Sequence, residues 1–146
     1  MAKPIPDGYG TITPYLVVND ALGLFAFLQR AMEAVEVRRT SLPDSSVFNI
    51  EMKIGTSMVM LVQGRPDHKV RTTAFYVYVP DVDLAYAQAL SAGGVSIMEP
   101  ADQFYGDRGA GFRDTAGNDW WLASRFEDLS SAELAERVAA PNFKRH

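Results

Sequence analysis

Hydrophobic residues fall into short runs of period two, separated by stretches with helical spacing, and polar clusters punctuate the two kinds. Thr11 to Val18 reads as a strand. Asp20 or Asn19 then caps a helix to about Ala34, with Leu22, Phe25, Leu28 and Met32 on one face. Val35 to Ser41 is β-rich, and Pro43-Asp44 marks a turn. Ser46 to Ile54 and Ser57 to Gln63 are strands joined by a hairpin at Gly55-Thr56, and Gly64 to Lys69 is a polar linker. The second half predicts a strand from Thr72 to Val79 and a helix to about Ala92, capped by Asp81 or Asp83 and closed by Gly93-Gly94. A short strand Val95 to Met98 follows, then a loop Glu99 to Asp107 carrying Phe104 and Tyr105. Arg108 to Arg113 and Asp119 to Ser124 form a hairpin around Asp114-Thr115-Ala116-Gly117-Asn118. Ser130 or Ser131 caps a last helix, Ala132 to Ala139, stopped by Pro141.

The order is therefore β-α-β-β-β twice, and the copies align to within a residue. Leu16-Val17-Val18-Asn19-Asp20 matches Val77-Tyr78-Val79-Pro80-Asp81, and Val35-Glu36-Val37 matches Val95-Ser96-Ile97. A solenoid needs at least about three repeats, so two copies imply a duplicated module with its copies paired. The expected organisation is one domain, 1–146, with modules at 8–63 and 70–127 and a C-terminal helix and tail at 128–146.

Strand alternation assigns faces. Ile12, Pro14, Leu16 and Val18 pack on the helices, which turns Thr11, Thr13, Tyr15 and Val17 to the other face. Ile50, Met52 and Ile54 pack, leaving Asn49 and Glu51; Val59 and Leu61 pack, leaving Met58 and Met60. In the second copy Phe75, Val77 and Val79 pack, leaving Ala74, Tyr76 and Tyr78, with Trp121 on the same face of the last strand.

Composition narrows the chemistry. The 146 residues are 47% hydrophobic and 22% charged, which excludes a disordered, collagen-like or coiled-coil chain. A net charge of -4 gives no nucleic-acid or anionic-membrane surface. Cysteine is absent, which removes disulfides, thiolate ligands and Cys nucleophiles. The two histidines, His68 and His146, are too few for a His-rich metal site or a Ser-His-Asp triad. Met1 to Gly10 lacks the apolar run of a signal peptide, and no apolar stretch approaches the ~20 residues of a membrane span. A cytoplasmic protein without nucleic-acid or membrane partners is expected.

Several stretches carry a family likeness: Thr13-Pro14-Tyr15-Leu16-Val17-Val18, Phe75-Tyr76-Val77-Tyr78-Val79-Pro80-Asp81-Val82-Asp83, Asp102-Gln103-Phe104-Tyr105-Gly106-Asp107-Arg108, and the turn Asp114 to Asn118 followed by Trp120 and Leu122. With the β-α-β-β-β duplication, the chain resembles the vicinal-oxygen-chelate (glyoxalase/bleomycin-resistance/dioxygenase) superfamily, in particular its PhnB-like branch, over roughly Gly8 to Glu127. Thr115 stands where the turn usually has Pro, a small departure because Pro only pre-sets φ there.

The resemblance implies an α+β fold in which two βαβββ modules form a cupped mixed sheet with substrate in the cup, and a short C-terminal helix follows them. Members with chemistry usually hold a divalent metal on His, Gln and Glu from four strands. Those positions fall on Thr13, Met60, Ala74 and Trp121, none a good ligand for such an ion. The chain thus resembles a member with no metal and no cofactor. Its expected ligand-binding residues are Thr13, Tyr15, Asn49, Glu51, Met58, Met60, Tyr76 and Trp121, with Phe104, Tyr105 and Arg108 closing the cup. Such a lining suits a planar or aromatic organic molecule oriented by few hydrogen bonds.

Plainer roles stand beside these. Glu51 is either a strand carboxylate paired with an Arg or a ligand contact and acid/base; Met58, Met60 and Trp121 either line a cavity or fill it. Arg108 closes the cup or pairs with Asp107 or Asp119. Asp102, Asp107, Asp114 and Asp119 match no EF-hand spacing and read as turn caps, His68 reads as solvated, and Gly106, Gly109 and Gly111 lack the context of a phosphate cradle. The resemblance implies a metal-free small-molecule binding protein of the bleomycin-resistance type acting as a homodimer. The alternatives are an enzyme of the same superfamily (lyase, isomerase or dioxygenase) with an atypical metal site or with Glu51 as acid/base, and an interaction protein that keeps only the fold. Leu134 and Val138 on one side of the last helix fit docking on this chain or on a second copy.

Overall fold

Strand β1 (Tyr15–Val18) opens the first module in the computed structural model, which describes residues 2–143. The strand starts later than the pattern suggests because Pro14 has no N–H to give a ladder; its carbonyl accepts from Met60 N instead. Ile12 consequently lies outside the sheet and is 87% exposed, not packed as expected. Asp20, rather than Asn19, caps α1 (Ala21–Met32), its carboxylate accepting from Gly23 N. The helix stops short of Ala34 because Glu33 turns left-handed, with φ 55°. Its packed face runs through Leu24, Phe25, Phe27, Leu28, Ala31 and Met32, while Leu22 is left half-exposed in the first turn. β2 (Val35–Ser41), β3 (Val47–Ile54) and β4 (Ser57–Gln63) complete a four-stranded sheet in the order β1-β4-β3-β2, with β1 parallel to β4 and the other pairs antiparallel.

The second half repeats this order. β5 (Ala74–Tyr78), α2 (Val82–Ser91), β6 (Val95–Asp102), β7 (Asp107–Arg113) and β8 (Asp119–Arg125) form a sheet in the order β5-β8-β7-β6. Asp81 caps α2 by accepting from Leu84 N, so Asp83 falls in the first turn. β6 continues four residues past Met98, where a loop was expected. It is an edge strand, so Pro100 withholds no needed donor, and a register shift between Met98 and Ala101 absorbs it. α3 (Ser131–Ala139) carries a full capping box of Ser130 and Glu133. His146 lies outside the described residues.

The core lies between the sheets and their helices. Leu16, Val18, Ile50, Met52, Val59 and Leu61 pack from the first sheet, and Ala110, Phe112, Trp120 and Leu122 from the second. The modules join through this layer: Arg30 Nη2 donates to Ala92 O, Gln88 Nε2 donates to Arg30 O, and Phe27 of α1 meets Phe112 of β7 at 6.1 Å between ring centroids. The Asp114 turn is a buried polar hub. Its carboxylate accepts from Ala116 N, Asn118 N, Asn118 Nδ2 and Trp120 Nε1, and Asn118 Oδ1 accepts from Thr73 N at the head of β5. Joining through the helices leaves the opposite, open face of each sheet pointing away from the other module.

Candidate functional site

Parity on β7 fixes what reaches the open face of the second sheet. Ala110 and Phe112 are in the core, so Asp107, Gly109 and Gly111 face the other way. Across the ladder Gly111 pairs with Trp121, and Trp121 pairs with Tyr76 of β5. A Cβ on Gly111 would come within 2.7 Å of the Trp121 ring, so glycine is what lets the indole lie across β7. The ring forms one wall of a cavity of about 440 Å³, lined by Tyr76, Met98, Gln103, Phe104, Tyr105, Trp121, Val138 and Phe143.

The polar floor beside this cavity is Asp107. Its carboxyl is buried at 1% exposure and accepts from Tyr76 Oη (2.7 Å), Tyr78 Oη (2.9 Å) and Arg125 Nε (2.9 Å). Burial pushes its pKa up, but the bonds from Tyr76, Arg125 and Tyr78 outweigh that and hold it below the usual carboxylate range. Asp107 is therefore ionised at neutral pH. Tyr76 is pushed the other way, first by burial and then by its bonds to Tyr105 and Asp107, so it keeps its proton. Gly106 sets the loop before β7: its φ is +95°, a Cβ would lie 2.5 Å from Glu127 O, and its own carbonyl accepts from Phe126 N and Glu127 N. The C-terminal segment covers the cavity. Arg137 Nη1 donates to Phe104 O and Glu127 Oε1, and Phe143 packs edge-on to Phe104 at 4.9 Å.

The first module's open face is built differently. Tyr15, Met60, Glu51 and Arg38 form one row across four strands. Tyr9 reaches over that row from the N-terminal segment and donates to Glu51 Oε1, while Arg38 Nε lies 3.8 Å from Glu51 Oε2. Burial, followed by the hydrogen bond and charge of Glu51, pushes the Tyr9 hydroxyl up to about 12. Met58, Val17 and Val62 are buried outside the main core, and Asn49 Oδ1 is buried without a hydrogen-bond partner among the described residues.

The expected ligand-binding residues thus divide between two faces. Tyr76, Phe104, Tyr105 and Trp121 share the cavity. Tyr15, Asn49, Glu51, Met58 and Met60 belong to the first sheet, and Thr13 lies half-buried just before it. Arg108 does not close the cup. It has the parity of Ala110 and Phe112, and it bonds Asp83 of α2 (2.8 and 3.0 Å) and Asp102 (3.1 Å) rather than Asp107 or Asp119. Alternation from Phe112 back to Arg108 could have told this. Asp119 pairs instead with Arg113. His68 is bound as well as solvated: Tyr15 Oη lies 2.9 Å from its Nε2. Met98, Gln103, Val138 and Phe143 were missed, because long β6 and the docking side of the last helix had no definite address in the sequence.

The family's metal position does not fit this chain. Met60 stands between Tyr15 and Glu51, and Trp121 lies between Tyr76 and Gly111. A thioether, an indole, a methyl from Ala74 and a hydroxyl from Thr13 are not the donor set of a divalent ion of this kind. Among the described residues no three His, Asp or Glu side chains group as a metal would need.

Fold, duplication and site together define a class. The model of the glyoxalase/bleomycin resistance protein/dioxygenase superfamily matches residues 9–122, and the chain belongs to that superfamily. An uncharacterized protein of Mycobacterium bovis is 29% identical over 140 residues, covering 88% of this chain and 92% of that protein. Among solved structures, TioX from Micromonospora sp. ML1 shares the fold with a TM-score of 0.69 at 20% identity, covering 80% of this chain and all (100%) of that one. A PhnB protein from Bacillus cereus, described as a putative 3-demethylubiquinone-9 3-methyltransferase, aligns with a TM-score of 0.64 at 16% identity, over 79% of this chain and 99% of its own.

Proposed function

We propose that this protein is a metal-free small-molecule binder that holds a planar or aromatic organic ligand against Trp121 and Tyr76, and that it works as a homodimer. The observation that carries the reading is the cavity on the second module's open face. Five of its eight lining side chains are aromatic. Its volume of about 440 Å³ lies within the ~300–1,000 Å³ range of small-ligand sites. Its polar edge is already ordered by Asp107, so little side-chain freedom is lost on binding. The homodimer rests on Tyr15 (52%), Tyr76 (49%) and Tyr78 (57%) standing exposed on the open faces, where a second copy would cover them.

An aromatic-compound screen by thermal shift, followed by calorimetry, tests the binding. A hit should be recovered chemically unchanged and should lose at least about tenfold in affinity with Trp121→Ala. A broad screen without a hit, or a ligand returned as product, contradicts the reading. Sedimentation equilibrium should give twice the 16.1 kDa of one chain; the mass of one chain contradicts the homodimer. The enzyme reading, with Glu51 as acid or base, has less behind it, because that carboxylate is engaged by Tyr9 and Arg38. Turnover that disappears in Glu51→Gln would restore it.

A further inference from the structure

Proton counting on the two cavity tyrosines narrows the ligand. Tyr76 has one hydroxyl hydrogen, and its 2.7 Å contact with Asp107 Oδ2 takes it. Its oxygen can then only accept, and Tyr105 Oη lies 3.4 Å from it. A phenol that donates to a carboxylate is polarised into a better acceptor. The cavity wall therefore offers lone pairs and aromatic faces, and none of its eight lining residues is cationic. Two guanidiniums stand near it among the described residues, both paired: Arg137 Nη1 donates to Phe104 O (2.8 Å) and Glu127 Oε1 (2.6 Å), and Arg125 bonds Asp107 Oδ1 (2.9 Å) and Tyr78 Oη (3.1 Å), with Asp128 at 3.6 Å. Among the described residues a buried anion would find no unpaired cation here, which makes its desolvation costly. A positive charge would meet the rings of Trp121 and Phe104 and the oxygen of Tyr76, with the Asp107 carboxylate one hydroxyl behind it.

Building on the binding function above, we propose that the ligand class is an aryl-substituted organic cation, its ring against Trp121 and its protonated or alkylated nitrogen at Tyr76. Tyr76 is then the specificity-determining residue of the site, and Asp107 is the positioning residue that turns the phenol into an acceptor.

Three probes with one ring and three head groups test this by isothermal titration calorimetry: 2-naphthylmethylammonium, 2-naphthylmethanol and 2-naphthylacetate. The ammonium should bind at least about tenfold more tightly than the alcohol, with the carboxylate weakest. Tyr76→Phe keeps the ring and removes the oxygen. It should cut the ammonium's advantage over the alcohol to less than about threefold. Equal affinities, a preference for the carboxylate, or an ammonium preference unchanged in Tyr76→Phe overturns the cation assignment and leaves the aromatic site standing. No binding by any of the three probes overturns the aromatic site, and the assignment with it. Circular-dichroism melting of Tyr76→Phe confirms that the compared proteins are both folded.

Discussion

The two modules share a topology and a helix-side core, yet their open faces have gone separate ways. On the first, Tyr9 crosses the sheet to Glu51, and Val17, Met58 and Val62 are already buried. The chain covers part of this face with itself and leaves Tyr15 exposed on its edge strand. On the second, Gly111 leaves room for Trp121, and Asp107 gathers two tyrosines and Arg125 at the edge of an aromatic cavity. Duplication fixed the layer that must pack, where volume changes are costly. The outward-facing layer, one side chain in two along the same strands, was free to diverge.

The comparison breaks most sharply at Asp107. Asp107→Ala leaves three donors without their acceptor, at roughly 1–3 kcal/mol for each that stays shielded from water. The thermal midpoint should fall by several degrees, and cavity binding by at least about tenfold. Glu51→Gln, the matching change on the first face, should leave cavity binding within about twofold. Equal losses from the two variants would join the faces into one site.

Gly111→Ala is the next test. The added methyl must displace the indole or shift β7, costing about 1–3 kcal/mol as overpacking does. Binding should fall with it, whereas Gly55→Ala, at a hairpin with nothing near its Cβ, should change stability only through its positive φ and leave binding untouched.

Acid sharpens the contrast further. The Asp107 pKa is depressed in the folded chain, so its contribution to stability is present above an unfolded value of about 4 and is lost as pH falls through the folded value. Denaturant melts should show the parent and Asp107→Asn converging as pH drops from about 5 to about 2. A constant gap across that window contradicts the ion pair.

The smallest effect belongs to the first face. Tyr9→Phe removes one hydroxyl from Glu51 and should cost about 1 kcal/mol. The Tyr9 hydroxyl is raised to about 12 in the folded chain, so its contribution is present below an unfolded value of about 10 and fades as pH rises toward 12. The alkaline end of the melt should record it, with cavity binding unchanged.

Most of the fold was legible because its signals were local. β2 and β4 have the bounds the pattern predicts, and Asp20, Asp81 and Ser130 cap as capping chemistry requires. The exceptions follow from position in the sheet. β6 tolerates Pro100 because nothing pairs beyond it, and β1 waits for Pro14 to pass. The site was half legible. Alternation named Tyr76 and Trp121, whereas Met98, Gln103 and Phe143 arrive from an edge strand, a loop and a tail whose docking no period encodes. Arg108 misled because its neighbours Phe104 and Tyr105 do face the cavity; one more residue of strand parity turns it to α2.

The central claim, that the second module's open face is the binding face, can be read from two adjacent residues. Trp120 is in the core with its indole N–H on Asp114, and Trp121 lines the cavity. Nitrogen–proton NMR of the two indoles during titration with 2-naphthylmethylammonium distinguishes them. The account predicts that the Trp121 signal moves progressively to saturation while the Trp120 signal stays in place. Saturable binding by calorimetry with the Trp121 signal unmoved would put the ligand elsewhere and contradict it.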